Sequence, residues 1–67
     1  MFLISFDLPK KMNGARVRLF RMLKGKNCKM IHESLWESEE LKDLIEIAQF
    51  IKRFKGNVRI LEEKFIF

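Results

Sequence analysis

The run Phe2-Leu3-Ile4-Ser5-Phe6-Asp7-Leu8-Pro9 decides how the rest of the chain is read. Its apolar start predicts a buried strand over about residues 2 to 7, and Pro9, which cannot donate to a sheet ladder, marks where the strand stops. Asp7 stands at the tip of that strand and is the one acid in the first 32 residues. Behind it come Lys10, Lys11, Arg16, Arg18, Arg21, Lys24, Lys26 and Lys29, with no further carboxylate until Glu33. A carboxylate facing such a field of cations can hold a divalent metal against a phosphodiester. It can also cap a turn ahead of Leu8-Pro9.

The 67 residues make one small domain. A chain of this size buries only about 60% of the surface its unfolded form exposes, so a partner subunit, a metal or disulfides usually supplement the core. Cys28 is the single cysteine, which excludes an internal disulfide and fits a reducing compartment. No stretch approaches the roughly 20 apolar residues of a membrane span. The first residues lack the basic-then-apolar order of a signal peptide, so the expected location is cytoplasmic, with no membrane partner.

The formal charge of +5 favours polyanions weakly, and its distribution says more. After the basic block come Glu33, Glu37, Glu39, Glu40, Asp43 and Glu46, relieved by Lys42; then Lys52, Arg53, Lys55 and Arg59 restore positive charge. One positive and one negative face are expected, although solvated helix faces read the same way.

Working outward from the first strand, a helix is predicted from Asn13 to Lys24, with Gly25 as its stop. Its apolar stripe is Ala15, Leu19, Met22 and Leu23, with Arg18 and Arg21 opposite. Cys28 to Glu37 reads as a short hairpin or one bent strand. Ser38 is the expected N-cap of a second helix, with Glu39 and Glu40 in its first turn. Leu41, Leu44, Ile45, Ala48 and Ile51 form that helix's stripe, and Gly56 ends it. Val58 to Phe67 is a final strand, interrupted near Glu62-Glu63. The order βαββαβ implies a single α+β domain over 1–67: a ferredoxin-like sandwich with two helices on one face of an antiparallel sheet. Because Leu3 also makes the other side of the first strand apolar, a second copy is expected to cover the open sheet face, giving a homodimer.

For chemistry, Asp7 is the candidate metal ligand, with Mg²⁺ supplying charge neutralisation and an activated water for phosphodiester hydrolysis. Two copies of Asp7 facing each other in a dimer would strengthen such a site. Arg16, Arg18, Arg21 and Lys24 are candidate phosphate clamps, giving salt-dependent, sequence-blind binding to RNA or DNA. Among the aromatics Phe20, Phe50, Phe54, Phe65, Phe67 and Trp36, core positions account for most, with Trp36 left as a base-stacking candidate. His32 beside Glu33 reads first as a surface residue and second as a proton-transfer group. Cys28 has no second thiol for zinc and reads as packing. Glycine-rich phosphate loops, paired zinc-helix histidines and nucleophile elbows are absent from the sequence.

Phe6-Asp7-Leu8-Pro9, Arg16-Val17 at the head of a helix stopping at Gly25, and Ser34-Leu35-Trp36-Glu37 before an acidic helix start resemble the CRISPR-associated Cas-two family, as does the tail Asn57-Val58-Arg59-Ile60. The resemblance spans nearly the whole chain on short motifs. It implies a ferredoxin-like homodimer that partners the integrase of spacer acquisition, some members being metal-dependent nucleases on RNA or DNA. By it, Asp7 is the metal-binding and catalytic aspartate, Phe6 the neighbouring aromatic, and Arg16 the helix arginine. Ser34 and Trp36 are the Ser and Phe of the later step. The chain departs from the pattern in a longer Gly25–Ser34 segment, a shorter run from Trp36 to the second helix, and an end at Phe67 before the C-terminal extension. A shortened hairpin between the second and third strands is therefore expected. Virulence-associated protein D ribonucleases and a domain of phenylacetate-type repressors share the Phe-Asp-Leu or Asp-Leu-Pro start. A non-catalytic regulatory or toxin-antitoxin module is the alternative reading.

Overall fold

In the computed structural model, residues 1–9, 11 and 13–62 are described. Six elements follow in the order β1 (Phe2–Asp7), α1 (Asn13–Gly25), β2 (Lys29–His32), β3 (Leu35–Ser38), α2 (Leu41–Arg53) and β4 (Asn57–Glu62). The strands form one antiparallel sheet in the order β2-β3-β1-β4. This is the ferredoxin-like α+β architecture expected from the element order. Of the final strand expected over Val58–Phe67, the part beyond Glu62 lies outside the described residues. Among the described residues, no helix is long and apolar enough to cross a membrane.

Alternation along β1 sets the layers. Ile4 stands level with Trp36 and Ile60, and Phe6 with Val58, on the side facing the helices. Ile4, Leu19, Leu23, Leu44, Ile47 and Ile51 are fully buried there. Each such aliphatic side chain contributes about 1.5–3 kcal/mol through the area it removes from water. Leu3, level with Leu61 and Glu37, and Ser5, level with Leu35 and Arg59, lie on the opposite side, which no element among the described residues covers.

The hairpin is compact, as expected: two four-residue strands joined through Glu33 and Ser34. Its register slips once. Met30 pairs with Trp36 and His32 with Leu35, so Ile31 is an extra residue in β2.

Three local readings are corrected. The second helix starts at Leu41 with Glu40 as its N-cap residue; Ser38 is the last residue of β3, and its Oγ accepts the Glu40 N–H at 3.1 Å. Glu39 and Glu40 thus precede the first turn, whose acid is Asp43. The α2 stripe is rotated too: Leu44, Ile47, Phe50 and Ile51 are buried, while Leu41 and Ile45 are exposed. Apolar residues populate two adjacent stripes of this helix, so spacing alone cannot choose between them, and packing does. Finally, neither glycine supplies the left-handed residue at a helix end.

Asn27 (φ 59°) and Lys55 (φ 60°) supply it instead. The Cys28 N–H reaches the Leu23 carbonyl at 2.9 Å and the Asn27 N–H that of Lys24 at 3.1 Å. Gly56 to Ile51 and Lys55 to Lys52 repeat the arrangement, so both helices end in Schellman motifs. Gly56 is required for another reason. A Cβ there would lie 2.7 Å from Ile51 Cγ2, 2.8 Å from the Asp7 carbonyl oxygen and 2.9 Å from Leu8 Cδ2. The end of α2 is thereby pressed directly onto the end of β1.

Candidate functional site

The close approach at Gly56 fixes the backbone of Asp7, the last residue of β1 and level with Asn57. Its side chain is exposed, on the uncovered-sheet side by alternation with Leu3 and Ser5. Among the described residues the Asp7 carboxylate makes no ion pair or side-chain hydrogen bond. The usual Asx-turn donor, the N–H two residues on, does not exist because that residue is Pro9. The turn-capping reading of Asp7 thus lacks its commonest partner.

Beside Asp7 a cleft of about 160 Å³ is lined by Phe6, Leu8, Arg16, Phe20, His32, Glu33 and Ser34, together with Asp7 itself. Three separate segments build it. Leu8 and Asp7 come from the end of β1, Arg16 and Phe20 from the start of α1, and His32 to Ser34 from the hairpin turn. The turn is tied down on both sides. Phe6 N–H donates to the Ser34 carbonyl at 3.0 Å, and Trp36 Nε1 donates to the Glu33 carbonyl at 3.2 Å. Arg16 is half-buried, and its Nη2 reaches the Leu8 carbonyl at 3.4 Å, a long contact that leaves the other guanidinium donors free of any partner among the described residues.

The structure therefore brings Asp7, Arg16 and Ser34 together as the sequence grouped them, and separates the remaining cations. Two residues along a helix from Arg16, Arg18 falls on the other flank, where its guanidinium carbon sits 5.5 Å from the Phe50 ring centroid. Arg21 and Lys24 are exposed on α1. Among the described residues, the ion pairs are those of Lys26, so Arg16, Arg18, Arg21 and Lys24 have no carboxylate partner there. Lys10 and the expected aromatics Phe65 and Phe67 lie outside the described residues.

Trp36 does not serve as a base platform. It is 2% exposed, tilted against Phe20 with ring centroids 6.0 Å apart. Phe6 is likewise in the core. Phe6 lines the cleft, and Trp36 is joined to it through its hydrogen bond to the Glu33 carbonyl. Cys28 is buried, and burial pushes its thiol pKa up, which fits packing better than reactivity.

From the sequence, His32 reads first as a surface residue and second as a proton-transfer group; both it and Glu33 are exposed, and the structure sets them in the wall of the Asp7 cleft. The signal that would have found them, the extra residue in β2, is not readable from a four-residue apolar run. Among the described residues no group of three or more His, Cys, Asp or Glu side chains is gathered for a metal. One exposed carboxylate still matches the sparse manner in which Mg²⁺ is held, through one or two carboxylates with phosphate oxygens and water.

No protein-family model matches the chain, and no curated protein matches it.

Proposed function

We propose that the chain is a Cas-two-like, nucleic-acid-binding homodimer that cleaves phosphodiester bonds at the Asp7 cleft. The observation that carries this reading is the convergence of a carboxylate without a partner among the described residues, Asp7, and a half-buried arginine, Arg16, on one cleft. Asp7 would hold Mg²⁺, which when bound supplies charge neutralisation at the phosphate and an activated water. Arg16 would bind and orient the phosphate with its planar fork. Because α1 carries no acid in its first turn, the helix dipole adds to the pull of Arg16 on an anion.

A second copy over the uncovered sheet face would bury Leu3, Leu35 and Leu61 and bring two Asp7 side chains toward one interface. The integrase of spacer acquisition is the protein partner to which the Cas-two resemblance points. A non-catalytic adaptor is the second reading, favoured by Arg18, Arg21 and Lys24: these lie outside the Asp7 cleft and would bind a phosphate backbone without it.

The deciding experiment compares wild type and Asp7→Asn on labelled RNA and duplex DNA, each with Mg²⁺ or EDTA. Metal-dependent products that vanish in the variant while binding persists are the expected result. Equal salt-sensitive binding with no cleavage by either protein would leave the adaptor.

A further inference from the structure

The bulge in β2 decides where His32 points. With regular pairing after Met30–Trp36, Ile31 would stand opposite Leu35, and His32 would face the other way. The extra residue moves His32 opposite Leu35 instead. Leu35 stands level with Ser5, whose side of β1 is also that of Asp7, so His32 and Asp7 share one side of the sheet at the same end. Both line the cleft at this end of the sheet, to which α1, on the other side of the sheet, contributes Arg16 and the turn contributes Glu33 as the other charged groups. Bulges commonly re-aim a side chain beside an active site, and imidazole is the side chain that exchanges protons near neutral pH.

We infer that His32 is the proton donor to the leaving group in the Asp7 cleft, an inference resting on the phosphodiester-cleaving reading above. The water oxygen bonds to phosphorus, the bond from phosphorus to the leaving oxygen breaks, and its electron pair goes to that oxygen. The imidazolium N–H of His32 protonates it. The proton lost by the attacking water enters solvent, from which the imidazole is recharged. Arg16 holds the non-bridging oxygens, and the donor reaches the leaving oxygen from the hairpin side of the cleft. His32 is exposed, so replacing it does not disturb the core.

The test compares wild type, His32→Gln and Asp7→Asn with Mg²⁺ on a cleavable oligonucleotide and on its 3′- and 5′-bridging phosphorothiolate analogues, whose sulfur leaves without protonation. For His32→Gln on the ordinary substrate, kcat should fall about 10²–10⁴-fold, the usual contribution of general acid catalysis. KM and oligonucleotide affinity by fluorescence anisotropy should be unchanged. One thio analogue should restore His32→Gln to the wild-type rate and leave Asp7→Asn slow. Equal cleavage of the ordinary substrate by His32→Gln and wild type overturns the role of His32 alone, as does a loss that neither analogue rescues. No cleavage by wild type overturns the underlying reading and the donor with it.

Discussion

The two ends of the sandwich treat charge in opposite ways. At the end where α1 finishes and α2 begins, Lys26 lies 2.6 Å from Glu46 Oε2 and 3.6 Å from Asp43 Oδ1. The hydrogen bond to Glu46 holds the Lys26 ammonium pKa above its ordinary value, and the same bond holds the Glu46 carboxyl below its own. A cation just past one helix C-terminus and an acid in the next helix's first turn also satisfy both dipoles. At the other end, α1 starts with no acid in its first turn and carries Arg16 there instead, while Asp7 is unpaired among the described residues. Among the described residues, one end is electrostatically settled and the other is not. Departures from local charge rules are expected at functional sites, where a ligand is needed to complete the pairing.

The sharpest way to break this contrast is Asp7→Asn. Cleavage should fall to the buffer rate with the fold intact by circular dichroism, whereas Glu46→Gln at the settled end should leave the rate unchanged. Next in size is Gly56→Ala, which forces backbone and side-chain atoms apart where α2 meets the end of β1. A loss of about 1–3 kcal/mol in urea unfolding is expected, as for overpacking. A neutral result would mean that the end of β1 yields freely and that the Asp7 cleft is not pre-built.

Gly14→Ala at the same end should do the reverse. An added Cβ there meets nothing within 4 Å, so removing a helical glycine should stabilise by about 0.5–1 kcal/mol. For nucleic-acid affinity, Arg16→Ala and Arg21→Ala should each reduce the slope of log K against log salt by about 0.9 if each meets one phosphate. Lys26→Gln, whose charge is already engaged, should leave that slope unchanged.

The smallest effect is on pH dependence. The raised Lys26 pKa contributes stability below the ordinary ammonium range that fades as pH rises through the folded value. The lowered Glu46 pKa contributes above the ordinary carboxylate range and fades as pH falls through the folded value. The pair therefore acts between those limits, and Lys26→Gln should flatten the acid-side fall in Tm only slightly, because Glu46 is solvent-exposed and Lys26 only half-buried, so water screens the pair.

Much of the molecule was legible in the order of its residues. The apolar run of Phe2–Phe6 ending at Asp7 and the two helical segments set the βαββαβ order, and that order leaves few ways to pair four strands around two helices. The stripe of α1 was readable because Ala15, Leu19, Met22 and Leu23 share one face; that of α2 was not, because two faces qualify and only contact with the sheet selects Ile47 and Phe50. Asp7 and Arg16 could be named from their positions after a strand and inside a helix. Their meeting in one cleft could not be, since the pairing of β1 with β3 and the seating of α1 bring them together.

By itself, then, the sequence determined the element order, the position of Asp7 at a strand tip and the surplus of cations behind it, because periodicity and local charge are properties of neighbouring residues. Only the tertiary structure decided which glycine is irreplaceable, which cations are already paired and which way His32 faces. Those depend on how closely separate segments approach and on a one-residue slip in register, and neither leaves a trace in local composition.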